Sequence, residues 1–168
     1  MTHYRPDPRF AALGDDFSAP VRPADFPQGR EIFWNPRWAG AVGLDLDAEA
    51  RKAHFHRFEP LPDNQAGPRA IKYHGHQFRV YNPEIGDGRG FLFAQLRDGQ
   101  GRLLDLGTKG SGQTPFSRTG DGRLTLKGAV REILAAEMLE ALAVNTSKIV
   151  TGFETGEAVY RGDEPNPT

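Results

Sequence analysis

The chain has 168 residues, enough for one domain with a core of its own, and 21 Lys and Arg against 22 Asp and Glu leave a net charge of −1. With no cysteine, disulfides, thiolate metal sites and a thiol nucleophile are excluded. Apolar residues make up 38% and mean hydropathy is −0.57, and no apolar run approaches the roughly 18–20 residues of a bilayer span.

The first ten residues carry charge and proline where a signal peptide would be apolar, so a soluble, cytoplasmic protein with no membrane partner is expected. Prolines at 6, 8, 20, 23, 27 and 36 forbid long helices in residues 1 to 44, which read as an extended arm lying on a surface. Phe26, Phe33, Trp34 and Trp38 are its apolar anchors, better suited to docking on a core than to stacking on a ligand. Leu46 to Phe58 predicts a short helix, N-capped by Asp45 or Asp47 and stopped by Pro60 and Pro62. Residues 1–70 thus form a proline-rich arm with one short helix.

Tyr73-His74-Gly75-His76-Gln77-Phe78 opens a glycine-dense stretch. Two histidines at i and i+2 on an extended segment can share one side and hold a metal. No third ligand is near in sequence and Lys72 and Arg79 flank them, so a structural, hydrogen-bonded pair is the better reading. The tetrapeptide Gly-Asp-Gly-Arg then occurs twice, at Gly86-Asp87-Gly88-Arg89 and at Gly120-Asp121-Gly122-Arg123. Glycines let backbone N–H groups converge on an anion, and the nearby Arg89, Lys109, Arg118 and Arg123 supply charge. From Gly86 to Arg131, Arg and Lys number eight against four Asp, a local excess that favours an anionic partner. Aromatic residues are not interleaved with these cations, so a small phosphorylated ligand fits better than nucleic acid.

Phe91 to Leu96, the turn Asp98-Gly99-Gln100-Gly101 and Arg102 to Lys109 read as a β-hairpin. The glycine-rich loop, strand, turn, strand and lysine follow the order of the protein-kinase N-lobe, without a Walker A signature or Rossmann glycine spacing. A helix is predicted from about Leu126 to Ala143, with Val130, Ile133, Leu134, Met138 and Leu142 as its apolar face. Gly128, Ala129, Ala135 and Ala136 form a stripe of small residues around Glu132, which can approach and pair with Lys109 or can be a solvated helix charge. Asn145 to Glu154 and Ala158 to Arg161 read as a second hairpin, followed by a polar tail from Gly162 to Thr168.

At Tyr73 to Phe78, Gly86 to Arg89, Lys109-Gly110-Ser111-Gly112-Gln113-Thr114-Pro115-Phe116-Ser117-Arg118, Thr119 to Arg123 and Arg131-Glu132, the sequence closely resembles the selenoprotein O (SelO, also YdiU) family. The strings are long and unusual, and the likeness is strong from about Tyr73 to Arg161. It implies a pseudokinase-like fold: α+β, with a kinase-like N-lobe of mostly antiparallel sheet, a Gly-rich loop and one key helix over 71–168. Family members are longer, so the chain corresponds to about their first third, without the helical C-lobe.

The resemblance also implies a protein adenylyltransferase. Such a protein binds ATP in an orientation reversed relative to kinases and transfers AMP to Ser, Thr or Tyr hydroxyls of proteins, with Mg²⁺ or Mn²⁺. Gly86, Gly88, Arg89, Lys109, Asp121 and Gly122 match the family's nucleotide-binding positions, with Glu132, Arg118 and Arg123 in support. The family's catalytic base and its metal-binding Asn and Asp correspond to positions beyond residue 168. No catalytic or metal-binding residue is therefore assigned here, and this piece by itself is expected to be inactive. The alternative is a non-catalytic nucleotide- or anion-binding regulatory module; an RNA-binding domain ranks last.

Overall fold

The computed structural model describes residues 3–162, so residues 163–168 of the expected tail lie outside the described residues. The fold is α+β with antiparallel strand pairing and few helices, consistent with a kinase-like N-lobe. None of its helices is long and apolar enough to cross a membrane among the described residues. The chain divides into two compact units, which it visits alternately.

The first unit holds Tyr4–Ala24 and Pro60–Arg123. Its four-stranded sheet runs in the order β1 (Ser18–Pro20), β3 (Arg69–Ile71), β6 (Leu92–Arg97), β7 (Leu103–Gly107). A separate hairpin pairs β4 (Gly75–Gln77) with β5 (Val80–Asn82). β6 is buried on both sides, and Phe91, Leu92, Phe93, Ala94 and Leu96 form the core with Ala70 and Leu61. A continuous apolar run bounded by glycine-rich turns suits such a central strand.

Gln95 is the polar exception within β6. Its Oε1 accepts from the Arg9 and Phe10 amides, both at 2.7 Å, and its Nε2 donates to Asp105 at 2.6 Å. The early segment thereby lies along β6, with a bridge between Pro6 and Leu96. The hairpin of β6 and β7 has the predicted turn. Asp98 accepts from the Gln100 and Arg102 amides and pairs with the Arg102 guanidinium, while Gly101 takes φ +78°. Lys109 lies two residues beyond β7 rather than at the strand's end.

The second unit holds Asp25–Glu59 and the described residues from Leu124 onward. β2 (Arg30–Trp34) pairs with β8 (Thr151–Glu154), accompanied by α1 (Pro36–Ala41), α2 (Ala48–Phe55) and α3 (Leu126–Ala141). Asn35 caps α1, with Pro36 at the position that spares a helix N–H. Asp47 caps α2, as one of the two predicted residues, through a 2.8 Å bond from the Ala50 amide. Thr125 caps α3 by accepting from the Gly128 amide at 3.1 Å.

The expected aromatic anchors do dock. Trp34 lies 6.4 Å from Phe55 and under the Arg51 guanidinium, and Phe26 packs beside His56 and Phe58. Trp38 donates its indole N–H to Glu140 at 2.8 Å. Arg51 also grips both oxygens of Glu31 at 2.8–3.1 Å.

Three local expectations are corrected. Residues 1 to 44 are not a mere surface arm, because they supply β1 to one unit and β2 and α1 to the other. The second hairpin does not form: β8 pairs with β2, more than a hundred residues earlier, in the register Arg30 to Glu154 and Trp34 to Thr151. The Thr155-Gly156 turn instead meets Gln28, whose amide donates to the Thr155 carbonyl at 3.0 Å. A remote partner leaves no trace in local spacing.

The apolar face predicted for α3 is largely outward: Val130, Leu134, Met138 and Leu142 are exposed. The inward side is marked by Ala136, Ile133, Glu137 and Glu140, so polar bonds from Asn35, Arg37 and Trp38 hold much of it.

Candidate functional site

Both Gly-Asp-Gly-Arg loops belong to the unit built on the four-stranded sheet, and residues 110–118 tie them together. The first loop leaves the β4–β5 hairpin through a bridge between Lys72 and Gly86 and a 2.8 Å bond from the Tyr73 amide to the Ile85 carbonyl. Asp87 then turns inward, its carboxylate accepting from the Ile71 amide at 2.9 Å. Burial pushes its carboxyl above the ordinary aspartate range, opposed in part by that amide. Asp87 therefore shapes the loop rather than facing a ligand.

The Thr114 hydroxyl donates to the Asp87 carbonyl, and the Ser117 hydroxyl donates to the Gly88 carbonyl at 2.5 Å. The Thr114 amide donates to Ser117 Oγ at 2.8 Å and the Phe116 amide to Thr114 Oγ1 at 3.0 Å. Two hydroxyls thus clasp the first loop while fixing their own turn. The clasp requires small residues opposite it. A Cβ on Gly86 would stand 2.4 Å from the Phe116 ring, and one on Gly88 would stand 3.3 Å from the Phe116 carbonyl oxygen.

Lys109 follows β7 after Thr108. The amides of Gly110 and Ser111 both donate to the Arg89 carbonyl, at 2.6 and 3.3 Å, which fixes the backbone beside Lys109 to that of Arg89. The side chains of both cations are exposed. The second loop is attached on the far side of the same segment. Ser111 bridges Arg123, and the Gly112 amide donates to the Gly122 carbonyl at 3.1 Å.

Gly122 has φ +72°, and a Cβ there would lie 2.1 Å from the Gly112 carbonyl carbon. No other residue fits. The Asp121 carboxylate accepts from the Arg123 amide at 2.9 Å, closing the loop on itself. Arg118, at φ +54°, donates to Gln77 Oε1 at 3.0 Å and so connects this segment to the β4–β5 hairpin.

Gly86, Gly88, Arg89, Lys109, Arg118, Asp121, Gly122 and Arg123 are therefore gathered in one unit, whereas Glu132 lies exposed on α3 in the other. Sequence reasoning missed Thr114, Phe116 and Ser117 as the clasp. Their signal was the Thr-Pro-Phe-Ser turn pattern immediately after the lysine and glycines. His74 and His76 are not a hydrogen-bonded pair but take ring contacts with Tyr81. Among the described residues no group of three or more His, Asp or Glu side chains is arranged to hold a metal ion.

The family described as "Protein adenylyltransferase SelO" matches residues 1–168. A relative from Synechococcus elongatus, "Protein nucleotidyltransferase YdiU", is 50% identical over 162 residues, covering 96% of this chain and 33% of the relative. Its namesake from Gloeobacter violaceus is 51% identical over 163 residues, with 96% and 33% covered. The one from Vibrio cholerae is 40% identical over 156 residues, with 93% and 32% covered. The chain spans about a third of the length of the curated relatives it matches. With the family match extending over every residue, this chain belongs to the SelO family.

Proposed function

We propose that residues 71–168 form the nucleotide-binding part of a protein adenylyltransferase, with ATP as its ligand. The observation that carries this reading is the clasp itself: two glycine loops and Lys109 share one hydrogen-bonded backbone unit. Glycines permit close approach of a polyphosphate, and Arg89 and Lys109 stand on backbone joined by two hydrogen bonds. In the proposed reaction a Ser, Thr or Tyr hydroxyl oxygen attacks the α-phosphorus, pyrophosphate leaves, and the hydroxyl proton passes to a base. The cations of this chain would offset the charge of the departing phosphates.

Mg²⁺ or Mn²⁺ would come with residues outside this chain. Asp87 and Asp121 are engaged with backbone amides, and no donor set among the described residues fits a metal. No step of the transfer is assigned to a metal on these residues. Glu132 is proposed as a supporting carboxylate, and Arg118 and Arg123 as supporting cations.

The test uses a protein of the relatives' full length, incubated with α- or γ-labelled ATP and Mg²⁺ or Mn²⁺. Label on protein from the α-position alone, lost in Lys109→Ala, is expected. Label from the γ-position alone would mean a kinase and sink the proposal. ATP binding without label from either position would favour the regulatory binding module.

A further inference from the structure

The β4–β5 hairpin carries a group of exposed rings that the phosphate reading does not use. His74 lies parallel to Tyr81, with ring centroids 6.3 Å apart and planes 4° from each other. His76 meets the same Tyr81 edge-on at 5.4 Å. All three side chains are exposed, Tyr81 by 54%. The parallel rings of His74 and Tyr81, with His76 against Tyr81, together form an aromatic platform wider than any one ring. Hydrophobic burial does not account for it, since the hairpin presents these rings to solvent.

The platform is joined to the first glycine loop. Lys72 bridges Gly86, and His74 lies two residues further along the same segment, about 7 Å away at the rise of an extended chain. Beyond Tyr81 the chain leaves β5 at Asn82 and turns to Ile85, whose carbonyl accepts from the Tyr73 amide, and so feeds directly into Gly86. Arg118 fixes the other side by its bond to Gln77 on β4. A ribose and its first phosphate span the interval between a stacked base and a phosphate chain at the loop.

We propose that His74 and Tyr81, with His76 buttressing them, form the base-stacking subsite for the nucleotide whose phosphates the glycine loops hold. This inference rests on the nucleotide-binding reading above. Stacking on aromatic faces requires no matched hydrogen bonds, so the platform would accept purine bases generally. It gives the Tyr73 to Phe78 string a role that a metal or a hydrogen-bonded histidine pair does not.

The test is calorimetric titration of this 168-residue chain with ATP and, separately, with inorganic tripolyphosphate, which has phosphates and no base. In His74→Ala/Tyr81→Ala, ATP affinity should fall about tenfold or more while tripolyphosphate affinity stays within about twofold. The retained tripolyphosphate binding also certifies that the variant is folded. His74→Phe, which keeps a ring, should bind ATP nearly as the parent does.

Equal ATP affinity in the parent and the double variant would overturn the subsite and point to the hairpin as a protein-docking element. Equal losses of both ligands would overturn it too, as would a His74→Phe variant no better than the double variant. A parent that binds ATP in a ring-dependent way but ignores tripolyphosphate would sink the phosphate loops and leave the platform standing. A parent that binds neither ligand would overturn both.

Discussion

Ion pairs occur within each unit, as between Arg97 and Asp7 in one and Arg37 and Glu140 in the other, but the surroundings of the glycine loops differ in kind. In the sheet unit that contains the glycine loops, side-chain hydroxyls and carboxylates bond to backbone, and glycines leave no room between segments. In the unit of α3 and the β2–β8 ribbon, charged side chains bond to one another and lie over indole rings. Backbone networks fix where amides point, which an anion site requires. Side-chain networks tolerate exchange, because partners on long stems can shift. Precision is concentrated in the unit with the loops.

The largest expected effect comes from Gly122→Ala. Positive φ and a Cβ 2.1 Å from backbone force the second loop away from Gly112, at a cost of roughly 3 kcal/mol. Tripolyphosphate binding by calorimetry should be lost. Gly101→Ala is its control: φ is +78°, nothing lies within 4 Å, and melting should show a loss of about 1 kcal/mol with binding intact. If the two substitutions behaved alike, steric closeness in the clasp would not matter.

Next in size is Arg51→Leu in the other unit. It removes the bidentate grip on Glu31, the bond to the Leu46 carbonyl and the guanidinium over Trp34. The melting temperature should drop by a few degrees (about 2–4 °C per kcal/mol at this size) without change in tripolyphosphate affinity. Lost anion binding in this variant would dissolve the distinction between the units. Thr125→Ala should cost about 1 kcal/mol by uncapping α3, measured by chemical denaturation.

The smallest effect sharpens the contrast between two aspartates of the same unit. Burial raises the carboxyl of Asp87 above its ordinary value, so the folded state holds a proton more readily than the unfolded one. Its ionisation then costs stability as pH rises through the folded value, and the cost is absent below the unfolded value of 3.8. Asp87→Asn keeps an acceptor for the Ile71 amide and should melt slightly higher than the parent at pH 7, with the gain fading in acid. At Asp98 burial also acts upward, but bonds from Arg102 and Gln100 prevail and lower it. Asp98→Asn should therefore melt lower at pH 7, with the deficit disappearing as pH falls through the depressed value. Parallel pH profiles for the two variants would refute this assignment.

What could be read in advance was what is decided by neighbours. The turn from Asp98 to Gly101, the cap at Asp47 and the span of α3 depend on residues within a few positions, and the pattern there was sufficient. The glycines at 86, 88 and 122 were visible as a need for space, but not what fills it. Phe116 and Gly112 lie some thirty and ten residues away. β8 was recognisable as a strand, yet its partner was set by β2 at the opposite end of the chain. The face of α3 was misjudged because Glu137 and Glu140 bond to Asn35, Arg37 and Trp38, a polar contact that hydrophobic spacing does not encode.

The grip of Gln95 on the amides of Arg9 and Phe10 bears on how the molecule comes into being. Arg9 and Phe10 must wait for some eighty more residues to be made before their place exists. During that interval the Gln95 strand and the proline-rich start are both without their final neighbours, and closing so long a loop slows folding. A bulky fusion or an internal deletion that displaces Arg9 would leave an amide oxygen in the sheet short of two donors, a penalty of about 1–3 kcal/mol. Synthesis order thus makes the start of the chain a late arrival in its own fold.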